Sequence, residues 1–437
     1  MLDFHLARFE LDASPTIGHP LCGGWIKATE VIDDRLWLRG VVLLGAGLPI
    51  VLAALDWTGV MNESHRLWTE ALAEGAHTTP DRVSLHCVHQ HNAPFIDLVG
   101  NSLLRQAGAT PLLYDERFVE LLIERSKNSV RDALTSSQPV THVRVGKSEV
   151  KQVACNRRVI GPDGKILYTR TSATKDPAAR AAPEGTIDPT LRCVSFLRND
   201  RALARLYYYT THPMSFYGDG RVTSDFVGIA RKRRDEKESA TLHVYFTGAA
   251  GNVTAGKYND GSPANRRVLT DRIHEAMIAA EQDGELKSHR LDEANWITAP
   301  FRFGPRSDLD VDKLKAIVAD PERTVLTRNR NAMAYGWMKR LESKRPILLS
   351  RLELGPNIAT LLHLPAETFV EYQLDAQKVV PDRFLATAAY GDGGPWYIPL
   401  ARSFAEGGYE PSVALVAEDS ETAYRKAILD LIGPGKI

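Results

Sequence analysis

Strand-like and helix-like segments are interspersed along the whole of this 437-residue chain, and that order restricts the fold more than any other feature. Leu36–Leu43 and Ile50–Leu55 are apolar runs joined by the turn-forming stretch Gly45-Ala-Gly-Leu-Pro49, which predicts two strands. Asn62–Gly75 carries Leu67, Ala71 and Leu72 on one helical face, and a strand follows at Arg82–Val88. Phe118, Leu121, Leu122 and Val130 recur at helical spacing, so Asp115–Leu134 reads as a long helix. Further strands are expected at Val140–Val150, Arg192–Leu197, Ala204–Tyr209 and Leu242–Phe246, and a helix at Leu269–Ala280. Leu348–Leu354 and Ala359–Leu364 read as a hairpin around Gly355-Pro356, and a last helix lies near Glu421–Leu431. This alternation predicts an α/β chain, a mixed sheet with flanking helices. No internal repeat is visible. Arg157–Pro189 and Pro300–Val325 are loop-rich rather than clean linkers. The expectation is therefore one domain over residues 1–437, with a small helical insertion at about 308–345.

Composition narrows the class. The chain is 43% hydrophobic and 25% charged, which excludes disordered, collagen-like and coiled-coil proteins. Basic and acidic residues both number 54, so no nucleic acid or anionic membrane partner is expected. The apolar stretch from Val41 to Leu55 is broken by Gly45, Gly47 and Pro49 and is too short to cross a bilayer. The opening residues MLDFHLARFELD contain no signal-like apolar core, and a soluble cytoplasmic protein is expected. Cys22, Cys87, Cys155 and Cys193 show no C-x-x-C spacing; Cys87 and Cys193 sit in apolar runs and read as small buried hydrophobes.

The histidines are unevenly spread. Ser84-Leu-His-Cys-Val-His-Gln-His-Asn-Ala-Pro94 continues an apolar strand, and residues two apart on extended chain share a side. His89 and His91 can therefore converge, as metal ligands or as an acid/base pair; the bland alternative is a solvated loop. His86 has the opposite parity and reads as a packed residue. His212 ends the β-like run Tyr207-Tyr-Tyr-Thr-Thr-His-Pro-Met214, a position that suits a third ligand or a satisfied turn histidine. Thr223-Ser-Asp-Phe-Val-Gly228 reads as a helix N-terminus with Ser224 or Asp225 as cap. Glu367 follows the apolar strand ending at Pro365 and can ligate a metal or sit in a first helical turn. Tyr390-Gly-Asp-Gly-Gly-Pro-Trp-Tyr-Ile-Pro399 is a glycine-rich aromatic loop that can line a pocket or pack as an Ω-loop.

In this order the segments resemble the catalytic domain of the neutral/alkaline (non-lysosomal) ceramidase family. Ala13-Ser-Pro-Thr-Ile-Gly-His-Pro-Leu-Cys-Gly-Gly24 is similar to its opening stretch, and Val88-His-Gln-His-Asn-Ala-Pro94 to its THTHSGP segment. Asn156-Arg157-Arg158 resembles its NRS segment. His212-Pro-Met, Ser224-Asp-Phe-Val-Gly228, Phe246-Thr-Gly-Ala-Ala-Gly-Asn252, Pro365-Ala-Glu-Thr-Phe369, Tyr397-Ile-Pro and Tyr409-Glu410 match later motifs. The resemblance implies a zinc-dependent amide hydrolase acting on a small-molecule or lipid-like amide. It implies Zn2+ held by His89, His212, Glu367 and Tyr397, with His91, Arg157 and Tyr409 facing the substrate. It also implies the mixed α/β catalytic domain, here without the family's immunoglobulin-like C-terminal domain.

Two other classes are weighed against it. An amidohydrolase-type barrel also uses H-x-H but requires regular βα alternation. A non-catalytic binding protein fits the departures from the family motifs at Gln90, Asn92, Ala93 and Asn252, yet all four implied ligands are present. Gln90 and Asn92 are expected to add polarity where a lipid head would lie, which favours a smaller N-acyl amide over ceramide.

Overall fold

The computed structural model describes residues 3–283 and 288–433. Its α/β architecture is built from one unit used three times, although no repeat is visible in the sequence. In each unit an outer strand pairs antiparallel with a hairpin. The hairpin's second strand runs through a helix into a parallel neighbour, and a longer helix closes the unit. The first unit places Val83–Cys87, Ile50–Leu55, Trp37–Leu44 and His5–Asp12 side by side, with helices Asn62–Ala76 and Glu116–Leu134. The second places Leu242–Thr247, Arg201–Tyr209, Thr190–Arg198 and His142–Glu149 in the same order, with helices Asp225–Lys237 and Pro263–Glu281. The third repeats it with Leu385–Ala388, Ala359–His363, Ile347–Leu354 and Ala294–Phe301, and helices Val370–Val379 and Ser420–Ile432. A topology can recur while identities diverge, because what must repeat is the burial pattern of each element rather than its residues.

Local sequence explains the elements. Asp115 accepts from the Phe118 amide and starts the helix Glu116–Leu134, whose Val119, Leu122, Ser126 and Val130 are buried. Gly355 and Asn357 supply the positive φ of the turn between Ile347–Leu354 and Ala359–His363. Ser224 precedes helix Asp225–Lys237 without capping it, because its hydroxyl is drawn to Asp34 instead. All four cysteines are buried and free. The stretch 308–345 contains helices Val311–Ala319 and Val325–Glu342, inserted between two strands of the third sheet. No helix among the described residues is long and apolar enough to cross a membrane.

The three parallel edges meet. Leu242–Thr247 packs against Ile50–Leu55, Val83–Cys87 and Leu385–Ala388. Beyond their carboxyl ends the Thr247 hydroxyl donates to the Val88 carbonyl (2.8 Å), and the Ala389 amide donates to the Thr247 carbonyl (2.9 Å). Crevices outside the carboxyl ends of parallel strands are the usual ligand sites of α/β folds, and the chain segments leaving Val83–Cys87, Arg201–Tyr209 and Ala359–His363 carry His89, His212 and Glu367.

Candidate metal centre

His89, His212 and Glu367 come from the three different units, and their ligand atoms all lie within 4.8 Å of one another. The backbone decides which ring nitrogen each histidine offers. His89 Nδ1 lies 2.6 Å from the Thr58 carbonyl, and His212 Nδ1 lies 2.8 and 2.9 Å from the carbonyls of Ala250 and Val253. A carbonyl oxygen only accepts, so both Nδ1 atoms carry hydrogen and both neutral rings present an Nε2 lone pair. Those lone pairs face a carboxylate. His212 Nε2 is 3.1 Å and His89 Nε2 3.4 Å from Glu367 Oε2, and His89 Nε2 has no hydrogen-bond partner although it is buried.

Burial opposes ionisation of Glu367, but the facing His89 and His212 outweigh it and hold the carboxyl well below the usual range. Burial also pulls His212 down, against the favourable contact with Glu367. A bound cation would take the place of any proton on Nε2, so that two neutral imidazoles and an ionised carboxylate present three converging acceptors to it. Ligand atoms each about 2.0–2.1 Å from a tetrahedral zinc stand roughly 3.3 Å apart, close to the two spacings found.

The remaining residues singled out from the sequence surround the same point. His89, His91, Arg157, His212, Glu367, Tyr397 and Tyr409 all line one cavity of about 300 Å³. Tyr397 pairs with Glu367 across a short parallel ladder, and its hydroxyl accepts from Arg157 Nη1 at 3.1 Å. Burial raises the Tyr397 phenol, and Glu367 adds to the effect. Burial disfavours the Arg157 cation, yet Tyr397, Glu410 and Tyr409 more than restore it. His91 Nδ1 is 3.1 Å from the His89 carbonyl, which leaves Nε2 free. Desolvation, then His89 and His212, push its pKa well below normal. Tyr409 is pushed up to about 12 by burial, and Arg330 opposes the shift.

Some features were not legible in the sequence. Tyr390 stacks on His89 with ring centres 4.4 Å apart. Arg330 and Trp25 line the cavity without any motif to announce them, whereas Trp396 comes from the glycine-rich aromatic loop read as one that can line a pocket. Non-glycine residues with positive φ gather here: His89 itself (79°), Ala366 (48°) beside Glu367, and Trp396 (60°) beside Tyr397. Such strain persists where surrounding structure over-determines it, and it collects at functional sites.

Two readings are corrected. Glu367 is not in a helical first turn, because the following helix starts at Val370 with Phe369 as its N-cap residue. Gln90, Asn92 and Ala93 are buried and do not line the cavity. Gln90 Nε2 donates to the Ser224 carbonyl, while Asn92 holds the 217–221 loop through Gly218, Asp219 and Arg221. Both side chains are turned into the protein rather than toward the cavity. Asn252 is likewise structural, accepting from the Val370 amide and donating to Glu371.

No protein-family profile and no curated protein matches the sequence. Solved structures do match, two ceramidases among them. One is neutral ceramidase from Pseudomonas aeruginosa, with a TM-score of 0.70, 16% identity, and coverage of 99% of this chain and 74% of that one. The other is a ceramidase complexed with C2, with a TM-score of 0.71, 16% identity, and 99% and 75% coverage. The fold is that of neutral ceramidase. The likeness spans nearly the whole chain and leaves no place for a (β/α)₈ barrel, so the amidohydrolase-type alternative falls with it.

Proposed function

We propose that this ceramidase-fold protein is a metal-dependent hydrolase of an amide bond. The observation that carries the reading is the convergence of three buried ligand atoms, two imidazole Nε2 atoms whose Nδ1 partners are backbone carbonyls and one carboxylate oxygen. Two histidines, one carboxylate and a nearby phenol suit zinc, with His89, His212, Glu367 and Tyr397 as the residues that would hold it. A bound zinc supplies Lewis acidity toward a carbonyl and a water that ionises near neutral pH.

The chain's own groups supply the rest. His91, its Nδ1–H committed to the His89 carbonyl, presents an Nε2 lone pair that can accept a proton and pass it to the departing amine nitrogen. Arg157 directs its guanidinium at the Tyr397 hydroxyl and is anchored by Glu410 at 3.4 Å, so it fixes a substrate oxygen without itself moving. Tyr409, edge-on to Tyr397 with ring centres 5.7 Å apart, offers a hydroxyl to the same substrate. The test joins elemental analysis to an amide-hydrolysis assay on the zinc-loaded protein. One bound metal, lost in His89→Ala and His212→Ala, and hydrolysis dependent on that metal, are expected. Stoichiometric zinc in both variants overturns the site; metal without hydrolysis of any amide leaves a binding protein.

A further inference from the structure

Arg330, half-buried but with a buried Nε, stands apart from the protein's buried arginines. Arg231, Arg340 and Arg192 each face a carboxylate within 2.7 Å. The fully buried Arg170 has none but spends its donors on four backbone carbonyls. Arg330, on helix Val325–Glu342, has neither. Its Nη2 donates to the Tyr409 hydroxyl at 2.8 Å, its buried Nε has no partner, and no carboxylate pairs with it among the described residues. Three aromatic faces hold it in place: Cζ lies 5.6 Å from the Trp25 ring, 5.8 Å from Trp396 and 5.5 Å from Tyr409. Cation–π contacts position a guanidinium but do not neutralise it.

This cation lines the candidate active-site cavity. The one carboxylate among the lining residues, Glu367, faces the two histidines, and Arg157 is matched by Glu410. Arg330 is therefore the guanidinium of this cavity to which no carboxylate is bonded among the described residues. It is also close to the reacting centre. Arg157 and Arg330 each lie 5.5 Å from the Tyr409 ring centre, so their guanidinium carbons are at most twice that, 11 Å, apart.

We infer that the amide substrate carries a carboxylate and that Arg330 is the residue that selects it. The inference rests on the amidase reading above. A single available guanidinium suits a planar monoanion, which it can grip with parallel N–H donors, better than a dianionic phosphate. A neutral amide leaves Arg330 unmatched in a half-buried site, the condition under which a charged group discriminates most strongly.

Matched substrate pairs test this on the zinc-loaded protein. An N-acylglycine is compared with its glycinamide, which puts the charge on the amine half. An N-alkylsuccinamate is compared with its carboxamide, which puts it on the acyl half. In at least one pair the carboxylate is expected to have a kcat/KM about 10-fold or more above its neutral partner. That ratio falls to about 1 in Arg330→Met and is partly kept in Arg330→Lys. Equal turnover within both pairs by the wild type overturns the inference. So does a loss in Arg330→Met that is equal for both members, since Arg330 would then only orient Tyr409. Calorimetric binding of the same pairs to wild type and Arg330→Met needs no turnover. Carboxylate binding that depends on Arg330, without hydrolysis of any amide, sinks the amidase reading and keeps the anion subsite. Absence of any carboxylate preference in binding and turnover sinks the subsite.

Discussion

Gly251→Ala should weaken metal binding without touching a ligand. Gly251 sits in the turn that leaves strand Leu242–Thr247, and its amide donates to the Thr368 carbonyl at 2.9 Å. A Cβ on it would lie 2.2 Å from the Glu367 carbonyl oxygen, 2.9 Å from the Glu367 carbonyl carbon and 3.0 Å from Phe369 Cδ1. Carbon–oxygen contacts normally stop at about 3.3 Å, so the backbone must yield by about 1 Å. Glu367 has little room to retreat, because its amide is tied to the Trp396 carbonyl at 2.9 Å and its strand pairs with Tyr397. The displacement therefore reaches the carboxylate that faces both histidines. Disturbing the support of a metal ligand costs roughly 10–100-fold in affinity, and overpacking costs about 1–3 kcal/mol of stability. Zinc affinity is read by competition with a chromophoric chelator, and thermal unfolding shows that the variant is folded at the assay temperature. A folded Gly251→Ala with wild-type zinc affinity refutes the argument that this glycine is required by the position of Glu367.

Three further outcomes follow from particular residues. His91→Ala should keep the metal and lose about 10²–10⁴ in hydrolysis rate; loss of zinc would make His91 a ligand. Burial lowers His19 to about 4 and His86 to about 3, so the unfolded chain binds more protons than the native one below about pH 6.5, and stability should fall as pH drops from there toward 4. The two together contribute a slope of up to about 2.7 kcal/mol per pH unit, read by urea unfolding at stepped pH, and His86→Gln should remove up to about 1.4 kcal/mol per pH unit from the measured slope; an unchanged slope refutes the assignment. Asp56 and Arg231, buried and bonded at 2.8 and 2.5 Å, join the first unit to a helix of the second, so Arg231→Met should cost about 3–5 kcal/mol. The double variant with Asp56→Asn should recover part of that loss, and a strictly additive double variant contradicts the pairing.

Local pattern revealed the elements better than it revealed their assembly. The helices at Asn62–Ala76 and Glu116–Leu134 and the hairpin Ile347–Leu354/Ala359–His363 were legible because period and turn chemistry agree there. Strand Leu385–Ala388 was not, since four small or apolar residues buried on both faces give no alternation. The threefold topology was invisible for a related reason. His5–Asp12, His142–Glu149 and Ala294–Phe301 occupy equivalent outer positions, yet their burial differs, so no shared pattern marks them.

The candidate site was legible where side-chain chemistry is unusual and illegible where the backbone supplies it. H-x-H, a histidine before proline and a glutamate after an apolar strand are detectable as residues. The carbonyls of Thr58, Ala250 and Val253, which decide what His89 and His212 can do, carry no residue signature at all. The same distinction explains the misreading of Gln90 and Asn92. Adjacency in sequence to His89 and His91 suggested adjacency to the substrate. But His89 at φ 79° turns the chain sharply, and the neighbouring amides are drawn into the protein to brace that turn against Ser224 and the 217–221 loop. Selectivity must then come from residues brought in by other parts of the fold. Arg330, delivered by a helix inserted between two strands of the third sheet, is such a residue, and no carboxylate is bonded to it among the described residues.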